Sequence, residues 1–249
     1  MKQAIIFANF GIIDAEVRNK TVGATVDELR KNFPEFEIRQ AVTSNFIRKK
    51  INALSIEEQI KNLREENFQR IIILPSHFTQ GEEFENKILP NKSADVEIIN
   101  PLFTPNCDTE FDRKIFEIVL DCFKISNDEN LILVGHGSPH RHNPVYENLQ
   151  KIAGEKIHIG VIESNDTPNF EDVLNRLKKN HAEKISIAPL LFSGGSHLKN
   201  DIDGDKNSWR TKLEEKNFVV RVCSEGLGSF SAFRNIYVEK IKRGDFFVD

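Results

Sequence analysis

The sequence predicts an α/β protein of two similar lobes, each a four-stranded parallel sheet flanked by helices. Three observations carry this expectation. Short apolar runs of strand length alternate with stretches of helical period in the order βαβαβαβα, and that order occurs twice. The stretch Ile71–Phe84 lies over Ile185–Leu198 without a gap, and the pairs Pro75/Pro189, Phe78/Phe192 and Gly81/Gly195 share one offset. Finally, Leu131-Ile-Leu-Val134 runs straight into Gly135-His-Gly-Ser138. Four apolar residues suit a strand buried on both faces, and the glycine-flanked His136 then falls at the carboxyl edge of a sheet, where open α/β folds bind ligands.

In chain order, Ala4–Ala8 is a first buried strand closed by Asn9-Phe10-Gly11. Asp14 can cap a helix whose stripe is Val22, Val26, Leu29 and Phe33. Glu37–Val42 is a second strand, and Thr43-Ser44 caps a short helix carrying Phe46, Ile47 and Ile51. Ser55-Ile-Glu-Glu58 has the form of a capping box and opens a helix with Ile60 and Leu63 inward. Arg70–Leu74 is a third strand, followed by a loop to Gly81 and a helix from near Glu82. Val96–Asn100 is a fourth, and Asp108–Phe123 is a helix with Phe111, Ile115, Ile118 and Val119 inward.

Ser126–Asn130 is a polar break, after which the pattern restarts. Strands are expected at Leu131–Val134, Ile157–Ile162, Lys184–Ala188 and Phe218–Val222. Helices are expected at Asn143–Ala153, after a Thr167-Pro168 cap with proline in the first helical position, from Ser208, and through Phe230, Phe233, Tyr237 and Ile241. The division this implies is 1–126 and 127–249, with the last helix able to pack back on the first lobe. A cleft for chemistry is expected between the lobes.

The totals narrow the function classes. Among 249 residues, 34 Lys and Arg against 38 Asp and Glu leave a net charge of −4, which argues against a nucleic-acid or membrane-surface partner. Cys107, Cys122 and Cys223 form no CxxC pair, so disulfides and thiolate metal sites are not expected. The apolar start, Met1–Ala8, is too short for a signal peptide or a membrane span, so a cytoplasmic protein is expected. A homo-oligomer is compatible with this composition. With no GxGxxG or Walker lysine motif, no organic cofactor is expected.

Three strand ends of the second half each bear one metal-competent side chain: His136, Glu163 and His197. In a parallel sheet these ends share one edge. Glu83 is the first-half counterpart of His197, and Phe10 that of His136. Two imidazoles with one or two carboxylates make a nitrogen and oxygen site for a divalent first-row metal, and a neighbouring carboxylate can take protons from a bound substrate. His77 could join this set or only pack beside Pro75. His140 and His142 read as solvated loop residues, and His158 and His181 as structural. Asp201, Asp203 and Asp205 fail the EF-hand pattern and read as a solvated acidic loop.

At these residues the chain resembles the anaerobic cobalt chelatases, the sirohydrochlorin cobaltochelatases among the class II chelatases. The likeness runs through Asn9-Phe-Gly11, Ala41-Val-Thr-Ser44 with Arg48, His77 with Gly81-Glu-Glu83, Gly135-His-Gly-Ser138, Val161-Ile-Glu163, His197 and Glu225-Gly-Leu-Gly228. It departs at Asn9, where the family usually has serine, at Glu82, where it often has aspartate, and at Ser196, where it often has an acid. The resemblance implies a chelatase-like fold and a lyase that inserts Co²⁺ into sirohydrochlorin, releasing two protons, in anaerobic cobalamin biosynthesis. It implies His136, Glu163 and His197 as metal ligands, with His136, Glu83 and Glu163 in catalysis. For the macrocycle and its carboxylates, Phe10, Gly11, Ser44, Arg48, Ser138 and Gly228 are the candidates. Alternatives are an iron or nickel chelatase (Fe²⁺ or Ni²⁺) on the same ring, or a metal- or tetrapyrrole-binding protein without catalysis.

Overall fold

A computed structural model describes residues 1–138 and 140–248. The chain forms two compact units, Met1–Phe103 with Gly228–Asp249, and Thr104–Leu227.

In the first unit, β1 (Gln3–Asn9), β2 (Phe36–Val42), β3 (Arg70–Pro75) and β4 (Val96–Ile98) form one parallel sheet in the order β2-β1-β3-β4. Ala8 stands opposite both Ala41 and Pro75, so the carboxyl ends of the three longer strands share an edge. Alternation along β1 serves two faces. Ala4, Ile6 and Ala8 join Ile60, Leu63, Ile71, Ile73 and Phe84 in one core cluster. On Phe7 the ring of Tyr237 packs edge-on at 5.5 Å.

Helix starts follow the polar residues that can cap them. Asp14 accepts from the Glu16 and Val17 amides at the head of α1 (Ala15–Arg18), which passes through a wide π-type turn, Asn19–Gly23, into α2 (Ala24–Asn32). Ser44 caps α3 (Asn45–Ile51), and Ser55 with Glu58 closes a capping box on α4 (Ile56–Glu65). The helix expected after Gly81 begins at Glu82 but continues as a π-type turn, Phe84–Ile88, running into a single 3₁₀ turn.

The second unit begins earlier than residue 127. Asp112, 2% exposed near the start of α5 (Glu110–Cys122), accepts from the Thr104 amide at 2.8 Å and its hydroxyl at 2.6 Å. Asn148, on α6 (Pro144–Ile152), donates to the Pro105 carbonyl at 3.0 Å. Residues from 104 onward are thus tied to α5 and α6. Along α5 the inward positions are Asp112, Ile115, Phe116 and Val119, with Phe111 and Ile118 only half-buried.

Its sheet repeats the first in composition and order, with β5 (Glu129–Gly135), β6 (Ile157–Val161), β7 (Lys184–Pro189) and β8 (Val219–Val222) arranged β6-β5-β7-β8, all parallel. Helix α7 (Phe170–Lys179) is capped by Asn169, in a capping box with Asp172. Thr167-Pro168 is a cis peptide before that cap, so Pro168 is not the first helical residue. After β7 come α8 (Gly195–His197) and a π-type turn, Leu198–Ile202, at the same offset from Phe84–Ile88 that relates the two sequence halves. Ser208 caps α9 (Trp209–Glu214). The last helix, α10 (Ser231–Arg243), belongs to the first unit: Lys242 reaches the Asn32 side chain, and beyond the helix the Phe247 amide donates to the Ile98 carbonyl. Among the described residues no helix is long and apolar enough to cross a membrane.

Candidate metal centre

Strand β5 delivers His136 one residue past its end, and Gly137 turns the chain away with φ at 79°. A side chain there would meet the Val161 Cβ at 2.9 Å and the Glu163 Cβ at 3.2 Å, so two strand-end loops pass in close contact at this glycine. The Ile162 amide donates to the Gly135 carbonyl at 3.0 Å and the Glu163 amide to the His136 carbonyl at 3.1 Å. The loops carrying His136 and Glu163 are therefore an extension of the β5–β6 pairing.

His197 arrives from the turn after β7. Its ring lies 4.7 Å from that of His136, nearly perpendicular at 88°. Each Nδ1 faces an oxygen that can only accept. For His136 this is the Gly137 carbonyl at 3.0 Å, and for His197 it is Asp201 Oδ2 at 2.8 Å. Both Nδ1 atoms therefore carry the hydrogen. In the neutral ring the ligand atom is then Nε2, the arrangement outer partners impose on metal-binding histidines.

The expected trio is only partly assembled. Among the described residues no three His, Cys, Asp or Glu side chains converge on a common point. Glu163 is placed beside His136 through its backbone, and the paired side chains are the two imidazoles.

In the first unit, Glu83 precedes the π-type turn, with Oε1 buried and unpartnered. Both ring nitrogens of His77 are likewise buried without a partner, and burial pushes this imidazole down to about 4, so it is neutral at physiological pH. Phe10 is 52% exposed at the tip of β1, and its carbonyl accepts from the Ser44 amide. Gly11 has φ at 118°, and Val42 and Ile47 lie 2.8 Å from where its Cβ would stand. The Ser44 hydroxyl is occupied in capping. Arg48 bonds Glu58 at 2.6 Å and Asn45 at 3.3 Å, which leaves its Nε buried and unpartnered. The Thr43 hydroxyl, just past the end of β2, is also buried without a partner. Gly228 offers its carbonyl to Arg234.

Other expectations divide. His158 is 1% exposed, bonded to Asn130, and pushed down to about 4 by burial and by Arg176; its role is structural. His140 is exposed. His142 is not simply solvated, because its Nδ1 lies 2.8 Å from Asp166 and its Nε2 3.6 Å from Glu147. Ser138 is also committed locally: its amide donates to Asp166, and its hydroxyl accepts from the Arg141 amide. Asp201 is engaged with His197 and is not merely part of a solvated loop. The sequence signal for it is its place four residues after His197, on one helical face.

The cobalt chelatase (CbiK) family model matches residues 3–244. The chain belongs to that family. Over 96% of its length it is 21% identical to the sirohydrochlorin cobaltochelatase of Salmonella typhimurium, covering 94% of that protein. The sirohydrochlorin cobaltochelatase of Methanococcus aeolicus is 35% identical over 30% of this chain and 55% of its own. Among solved structures, SirB from Bacillus subtilis with Fe³⁺ superposes with a TM-score of 0.63 at 15% identity, with both chains covered in full. The sirohydrochlorin chelatase SirB of subspecies spizizenii in complex with cobalt gives 0.57 at 14%, covering 98% of this chain and 95% of that one. These structures share the fold. For a cobalt chelatase the ion is a substrate, and an open pair of imidazoles suits an ion that must also leave.

Proposed function

We propose that the protein inserts Co²⁺ into sirohydrochlorin on the anaerobic route to cobalamin, with His136 and His197 holding the incoming ion. The ring enters with two pyrrole N–H groups. It leaves with cobalt on its nitrogens and two protons passed to acceptors. Imidazole Nε2 atoms replace part of the ion's water shell, and Glu163, carried beside His136, supplies charge on the same loops. Glu83, whose buried Oε1 has no partner, is our proton acceptor. Phe10 offers an exposed ring to the macrocycle, and Gly11, Ser44, Arg48, Ser138 and Gly228 its polar surroundings, with Arg48 Nε and backbone amides as the donors for substrate carboxylates.

The observation that carries this reading is the imidazole pair, 4.7 Å apart with both Nδ1 atoms engaged. With Nδ1 engaged on both rings, Nε2 is the atom each has left to offer a metal. The test is multiple turnover: sirohydrochlorin and excess Co²⁺ followed by the visible spectrum of the ring, with Fe²⁺ and Ni²⁺ run alongside. More than one equivalent of product per protein is expected with Co²⁺, and loss of turnover in His136→Ala and His197→Ala. Wild-type rates in either variant would refute the assignment.

A further inference from the structure

The His136 loop is closed by a group with no part in the chemistry proposed above. Asp166 is 1% exposed. Its Oδ2 accepts from the Ser138 amide at 2.9 Å. Its Oδ1 accepts from the Thr167 amide at 2.8 Å and the Asn143 amide at 3.3 Å, and faces His142 Nδ1 at 2.8 Å. The Asp166 amide itself donates to the Glu163 carbonyl at 3.1 Å. One residue thus holds both Ser138 and Asn143, and it sits on the turn that begins at Glu163.

We infer that Asp166 is a positioning residue for metal capture, fixing the His136 and Glu163 loops in one arrangement through the Ser138 and Asn143 amides. This rests on His136 being a metal ligand. A carboxylate is needed because every neighbour is a donor: three backbone amides and an imidazole N–H. Buried charge is retained only where such donors surround it. An amide of the same shape keeps an oxygen for the three-donor side but turns NH₂ toward the Ser138 N–H, two residues from His136. Asp166→Asn therefore releases the loop at its metal end first.

The test measures Co²⁺ binding to the full chain by optical titration, with amide hydrogen exchange alongside. In Asp166→Asn we expect Co²⁺ affinity to fall about tenfold or more, the range that outer partners of metal ligands command. Ser138 should lose amide protection while Thr167 keeps it. Val173→Ala, in the core of α7, controls for general destabilisation and should bind Co²⁺ as the wild type does. Equal losses in the two variants at matched folded fraction would overturn the inference, as would unchanged binding in Asp166→Asn. If that variant fails to fold, wild-type exchange decides: slow Ser138 and Asn143 amides support the latch, and rates of an open loop refute it. Failure of the parent reading is separate, since it appears as unchanged Co²⁺ binding in His136→Ala.

Discussion

Replacing Asp201 by alanine isolates the support of one imidazole of the proposed metal pair. The carboxylate sits four residues from His197 and accepts from its Nδ1 at 2.8 Å, so its loss frees the ring to rotate and to exchange tautomers. The His197 side chain is 42% exposed and that of Asp201 39%. Solvent screening at that exposure argues for the low end of the 10–100-fold range of such partners, about tenfold in Co²⁺ affinity, or about 1.4 kcal/mol. Little stability should be lost, because a surface pair contributes only about 0–1 kcal/mol. Optical titration of the metal-free protein with Co²⁺ reads the effect directly, and a melting curve checks the fold. A dissociation constant equal to that of wild type would refute the claim that Asp201 orients His197. A large drop in melting temperature would instead assign the carboxylate to holding the turn.

Gly137→Ala places a Cβ 2.9 Å from Val161 at a left-handed position; a loss of about 1–3 kcal/mol in denaturant titration is expected, with weakened Co²⁺ binding. Burial holds His158 neutral, with its pKa lowered from 6.5 to about 4. The unfolded chain therefore takes up this proton first as pH falls from 6.5 toward 4, and stability falls with it. By pH 5 this one group costs about 2 kcal/mol, so His158→Gln should lose less stability than wild type between pH 7 and pH 5. Parallel losses in the two proteins, measured by urea unfolding, would show that His158 is not the titrating group.

Much of the fold is legible in short segments. The apolar runs at Ala4–Ala8, Ile71–Leu74, Leu131–Val134 and Ile185–Ala188 all become central strands, because a parallel sheet covered on both faces demands continuous hydrophobicity. Caps at Asp14, Ser44, Ser55 and Ser208 are read directly from residue chemistry. The less legible features depend on contacts distant in sequence. Nothing near Asp112 announces that it will anchor Thr104, and so the start of the second unit. Pro168 imitates a helix start, but the capping box of Asn169 and Asp172 outcompetes it. In the candidate metal centre, His136 stands out as a polar residue where a buried strand ends, and His197 as the second-half counterpart of Glu83 in the repeated segment. Asp166 does not, because its partners are mostly backbone amides, which every residue carries.

The wide turns at Phe84–Ile88 and Leu198–Ile202 hold about one more residue per turn than an ordinary helix would. His197 and Asp201 bracket part of the second, with β7 ending well upstream. His197 precedes that turn and keeps its tie to β7, so insertion or deletion of a single residue before Asp201 would instead swing the carboxylate by roughly the 100° that one α-helical position subtends. Chain length in this turn thus decides whether the Asp201 carboxylate can reach the imidazole, separate from any choice of side chain.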